Sequence, residues 1–132
     1  MSTGYSIVSR VEAEDWMADY EGFGEMLSYT RASGSDQVAL TLRRMPPGTG
    51  GKGSYGHRHP GQDEVYLVLE GTVEFKLGDD VVETGPGTAV RVGGDVFRSL
   101  HNDGPGEAQL VIVSTKDDDA GTEKTEDDFW PE

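Results

Sequence analysis

Two imidazoles one residue apart, His57 and His59, and a carboxylate five residues further on, Glu64, are the residues best placed to do chemistry. On an extended segment the side chains at i and i+2 leave the same face, so both rings can converge on one point. Glu64 opens the apolar run Glu64 to Glu70 (EVYLVLE), where a lone carboxylate is costly to bury. A shared divalent cation relieves that cost. Two nitrogens and an oxygen suit Fe(II), Mn(II), Ni(II), Zn(II) or Cu(II), with positions left for water or a ligand. On spacing alone, a surface His-x-His on a glycine-rich loop beside an unrelated acid fits equally well. The chain has no cysteine, which removes thiolate ligands, disulfides and a cysteine nucleophile together. Tyr66, two residues after Glu64, shares its face of the strand, either as a hydroxyl that touches a ligand or as core.

Gly51, five residues, His57, one residue, His59, four residues, Glu64, six residues and Gly71 follow the pattern G-x5-H-x-H-x3–4-E-x6-G. On those residues the sequence resembles the cupin superfamily, over about residues 38–113. The resemblance implies an all-β fold, an antiparallel jelly-roll barrel, with a divalent metal ion held by His57, His59, Glu64 and one further His. The second cupin motif, G-x5-P-x-G-x2-H-x3-N, is worn. Gly87 and Asn102 match it, but Gly93 stands for Pro, Asp95 for Gly, and Arg98 for the fourth ligand. A guanidinium has no lone pair to give a metal. His101 takes over only if a bulge shifts its strand by one residue; a regular strand leaves it exposed on the outer face. Arg98 has two readings of its own. It points into the cavity and forks onto a carboxylate or phosphate, or it pairs with an acid such as Glu64 and replaces the metal. The metal is preferred, because His57 and His59 have no other evident reason to converge.

The elements that must carry these residues are short. Val38, Leu40 and Leu42 alternate with Ala39, Thr41 and Arg43, a half-buried strand that Met45-Pro46-Pro47 ends. Gly48 to Gly56 (GTGGKGSYG) reads as a flexible loop. Val65, Leu67 and Leu69 alternate with the inward Glu64, Tyr66 and Val68, which leaves an apolar outer row. Val73 to Leu77, Val81 to Glu83, Ala89 to Val92, Val96 to His101 and Leu110 to Val113 follow as strands between glycine-rich turns. Val11 to Tyr20 allows a short helix, and Glu25 to Arg31 reads as an edge strand. The organisation expected is an N-terminal segment over 1–35, a barrel over 36–115, and an acidic tail over 116–132. That tail carries eight acids and one Lys from Asp117 to Glu132 and reads as solvated and mobile, with Phe129 and Trp130 able to dock.

Composition limits the partners. The chain has 132 residues, 25 acids against 11 bases and a net charge of −14. Such a surface repels phosphate backbones and anionic lipid, so neither nucleic acid nor membrane is expected as a partner. No apolar run approaches the ~20 residues of a spanning helix, and no secretory leader is visible at Met1 to Arg10; a cytoplasmic location is expected. Gly48 to Gly53 lacks the ending of a phosphate-binding loop, and no serine sits in a nucleophile-elbow motif. The apolar outer row needs a cover, which predicts a homodimer. The reading is a small metal-binding cupin whose cavity takes a small polar or anionic molecule, contacted by Arg98 and Tyr66. The alternative is a non-catalytic ligand-binding or sensing module without metal, in which Arg98 pairs an anion or Glu64. The residues leave turnover and simple binding both open.

Overall fold

Alternating and apolar runs become strands, and the glycine-rich pieces between them become turns. The computed structural model describes residues 4–116 and 121–132. The strands are β1 (Glu14–Asp15), β2 (Glu25–Ser28), β3 (Val38–Met45), β4 (Thr49–Gly50), β5 (His57–Arg58) and β6 (Glu64–Glu70). They continue with β7 (Val73–Leu77), β8 (Asp80–Thr84), β9 (Ala89–Val92), β10 (Arg98–Asn102), β11 (Ala108–Thr115) and β12 (Glu123–Lys124). One sheet runs β1-β2-β3-β11-β6-β9 and the other β12-β5-β10-β7-β8, with β4 also on β10; all pairs are antiparallel. This is the all-β jelly-roll barrel expected. Among the described residues, no helix is long and apolar enough to cross a membrane.

The core lies between the sheets. Met45, Tyr66, Val68, Val92, Ala108 and Leu110 come from the first sheet and meet Val73 and Phe75 from the second. The rings of Tyr66 and Phe75 pack edge to face at 5.3 Å. Val65, Leu67 and Leu69 point outwards, as their alternation requires, and remain partly exposed.

Two local expectations are corrected, and one point that alternation left open is decided. First, Val11 to Tyr20 forms no helix: Arg10–Glu12 make one 3₁₀ turn, α1 is the single turn Thr30–Ser33, and β1 pairs with β2. The backbone donors are spent elsewhere. Trp16 N–H bonds Met26 O at 2.9 Å, and Asp15 Oδ1 accepts from the N–H of Met17 and Met26. Second, in β3 the polar row faces inwards. Thr41, Arg43 and Met45 are buried, whereas Val38 and Leu40 are exposed. Third, residues 121–132 differ from the solvated tail expected. β12 pairs with β5, which was not expected, whereas Trp130, 5% exposed, and Phe129, against Gly56, dock as the expectation allowed. Residues 117–120 of that stretch lie outside the described residues.

Candidate metal centre

β5 is two residues long, too short to hold itself, and it is fixed from both sides. His57 pairs with Arg98 of β10 on one edge and with Lys124 of β12 on the other. Arg58 binds Glu123 through Nε at 2.6 Å. His59 follows on a turn closed by Gln62 N–H to His59 O at 3.0 Å. Glu64 begins β6, between Ser114 of β11 and Val92 of β9. One ligand atom from each of His57, His59 and Glu64 lies within 4.8 Å of the others, and all three residues are half-buried. The two imidazoles meet edge to face, centroids 5.0 Å apart.

This donor set fits a divalent cation. Ligand bonds of about 2.1 Å put donors roughly 3–4 Å apart in a closed shell, so small side-chain rotations suffice. Burial, then the charges of His59, Arg98 and Lys124, lower the pKa of His57 to about 4, so its ring is neutral at physiological pH. A neutral imidazole keeps the lone pair that ligation needs. The hydroxyl of Thr122 lies 3.2 Å from His59 Nδ1. A partner on one ring nitrogen orients the other towards the centre.

Tyr66 is buried and its hydroxyl donates to Glu64 Oε1. Burial, followed by the Glu64 charge, holds the phenol well above its ordinary pKa, so it remains a donor. Arg98 is fully buried, with Nη1 3.7 Å from Glu64 Oε1 and Nη2 donating to Gly93 O at 2.7 Å. Its Nε and Nη1 have no hydrogen-bond partner among the described residues. At an effective dielectric near 20, two unit charges at that separation attract by about 4 kcal/mol. Desolvating each ion costs several kcal/mol, so the pair by itself is close to neutral for stability. A cation shared with Glu64 competes with it directly.

A cavity of about 730 Å³ opens over the triad. His57, His59, Glu64 and Tyr66 line it; Arg98 does not, and sits beside Glu64. His101, expected to be exposed, is 8% exposed. The alternation of β10 does place it away from the barrel interior, but that face is covered. Trp130 packs edge to face at 6.0 Å, Gly50 lies against the His101 backbone, and Nε2 is 3.2 Å from Asp103. Sequence reasoning missed Thr122 and Lys124 of the tail and Trp16, Phe23 and Arg43, all of which line the cavity. Only Arg43 carried a signal: it shares the parity of Met45, which is core.

Residues 41–114 match the model of the cupin domain family. No curated protein matches the chain. Among solved structures, a sugar phosphate isomerase from Silicibacter pomeroyi is 22% identical, with 97% of this chain and 88% of that one covered at a TM-score of 0.67. The polyketide cyclase RemF from Streptomyces resistomycificus is 18% identical over 87% and 82%, at 0.69. A cupin protein from Bacteroides fragilis is 14% identical over 89% of both chains, at 0.70. At these identities the likeness is one of fold.

Proposed function

The chain belongs to the cupin domain family, and on that premise we propose that it binds one divalent cation through His57, His59 and Glu64 and uses it to hold a small ligand in the barrel cavity. The observation that carries the reading is the convergence of three unlike donors, from β5, the following turn and β6, within 4.8 Å. When bound, the cation supplies Lewis acidity to a ligand oxygen. The chain's own residues do the rest. Tyr66 holds Glu64 in orientation through its hydroxyl. Thr122 and the β12 pairing hold the two imidazoles. Arg98 holds the fourth-ligand position of the second cupin motif and lies 3.7 Å from Glu64, so its charge would weaken retention of the cation. Two neighbours of the same fold are named as an isomerase and a cyclase, which leaves a catalytic use of the cavity open to this chain. A cytoplasmic location and a homodimer are part of the same proposal.

The competing reading, a metal-free ligand-binding cupin closed by Arg98 and Glu64, draws on their 3.7 Å approach. Its weakness is that Arg98 Nε and Nη1 make no hydrogen bond among the described residues, so the ion pair lacks the hydrogen bonds that a buried pair needs. Elemental analysis of protein purified without a histidine tag decides between them. Wild type should carry about one transition-metal ion per chain, and His59→Ala should lose it while keeping the β-sheet circular dichroism. Wild type that holds no ion after incubation with each of Fe(II), Mn(II), Ni(II), Zn(II) and Cu(II) would favour the metal-free module.

A further inference from the structure

The end of the cavity remote from the triad holds a charge that the barrel does not neutralise. Among the described residues, Arg10, Arg31, Arg44, Arg58, Arg91 and Arg98 each ion-pair with a carboxylate; Arg43 does not. In a chain with 25 acids and 11 bases, such an exception is unlike the rest of the surface. Arg43 is 8% exposed and lines the cavity from β3. Its hydrogen bonds all leave through Nη1, to the carbonyls of Phe23 at 2.9 Å, Glu25 at 3.0 Å and Arg44. Nε and Nη2 have no hydrogen-bond partner among the described residues. Asp15 is the acid whose charge reaches Arg43, and its Oδ1 is engaged by the N–H of Met17 and Met26. Three carbonyls fix the guanidinium in place but leave its charge and two of its nitrogens unanswered.

The walls beside it are apolar and underused. Trp16, Tyr20 and Phe23 line the cavity yet are 53%, 61% and 46% exposed. Aromatic faces left half in water at the mouth of a cavity gain most from a flat apolar ligand. The volume, about 730 Å³, suits a body of many carbon atoms rather than a bare phosphate or acetate. The pairing register sets Arg43 apart from the triad. The inward row of Glu64 crosses Ser114 to Ala39, whereas Arg43 lies four residues, or two inward rows, further along β3, opposite Leu110. The Tyr66 row, with Ile112 and Thr41, lies between.

We propose that Arg43 is an anion-recognising residue at this second end of the cavity, and that the ligand is a flat, largely apolar molecule carrying a carboxylate. Trp16 and Phe23 take its apolar body and Arg43 its carboxylate. The proposal shares the cavity of the metal reading but needs no metal, so the two can fail separately.

The test uses the full chain stripped with a chelator, titrated calorimetrically with 2-naphthoate, with the isosteric but neutral 2-naphthamide, and with acetate. The wild type should bind 2-naphthoate at least tenfold tighter than 2-naphthamide, and acetate should not compete at equal concentration. Arg43→Met should bring the naphthoate-to-naphthamide ratio to about one, whereas Arg43→Lys should keep part of it. Trp16→Ala should weaken both probes alike. A wild-type ratio near one, an unchanged ratio in Arg43→Met, or no binding of either probe up to millimolar concentration would overturn the proposal. If Arg43→Met does not fold, an undiminished ratio in Arg43→Lys together with no effect of Trp16→Ala overturns it just as well. Metal content, measured separately, judges the triad.

Discussion

Arg98 is the residue whose replacement speaks most directly to the chemistry. It is fully buried and 3.7 Å from Glu64, with two nitrogens unbonded. A fixed positive charge there opposes a dication and competes for its carboxylate. Arg98→His removes that charge and restores a nitrogen donor, so resistance to a chelator series should rise about tenfold or more over wild type. No gain would show that position 98 does not reach the centre. His57 makes the second prediction at this scale. Its pKa is about 4 in the folded chain against about 6.5 when unfolded. Between those values the unfolded chain takes up a proton that the folded one refuses, so stability is complete above about pH 6.5 and falls as pH drops towards 4. The loss over that range is roughly 3 kcal/mol. Denaturant titrations of the metal-free protein should therefore show a steeper acid loss for wild type than for His57→Gln; identical slopes would refute the burial of that ring.

Glycine and aromatic contacts decide how the elements hold the centre. A Cβ on Gly94, between β9 and β10, would lie 2.6 Å from His59 O, 2.8 Å from Gly61 N and 3.0 Å from Gln62 N. All three are backbone atoms of the turn that carries His59, so the turn must move. Gly94→Ala should cost about 1–3 kcal/mol, and metal retention should fall even where the protein still folds at 25 °C. Retention equal to wild type would mean the turn adapts without displacing the imidazole. The C-terminal segment acts from the opposite side. Trp130 is buried against His101, and its backbone exchanges hydrogen bonds with Ser54 and Gly53. Trp130→Ala should therefore lower stability by about 3 kcal/mol, read as a shifted denaturant midpoint. A truncation after Lys116 should also loosen His57, because β12 is one of the two strands that pair with β5 among the described residues.

At the scale of the molecule, the outer face of the first sheet is the feature a single chain leaves unresolved. Leu42, Val111 and Leu67 lie side by side in one row, and Leu40, Val113 and Val65 in the next. Leu40, Val65, Leu67 and Val113 remain between 36% and 40% exposed. A contiguous apolar patch on a sheet face is a common mark of association. Light scattering at micromolar concentration should give twice the mass of the 14.3 kDa chain, and Leu67→Lys should halve it. A wild-type monomer would assign that face another role.

The barrel was legible in the sequence through short-range alternation, and the triad through the resemblance its spacing carries, since spacing alone left a surface His-x-His equally open. Strand alternation, glycine turns and the interval from His57 through His59 to Glu64 are local quantities, and local geometry carries them into the fold nearly unchanged. The parity of β3 was not legible, because alternation states that two faces differ and not which one turns inwards; the apolar row faces out here, and the polar row, Arg43 in it, faces in. The C-terminal segment was misread for a related reason. Charge density predicts solvation of an isolated stretch, whereas Glu123 and Lys124 gain their order from β5, more than sixty residues away, and Trp130 gains its burial from the loop before it. The same holds for Arg98. Its type excluded it as a ligand, but only the packing of β10 against β5 and β6 put it beside Glu64 rather than in the cavity lining, because long-range contacts set where a side chain ends and composition does not.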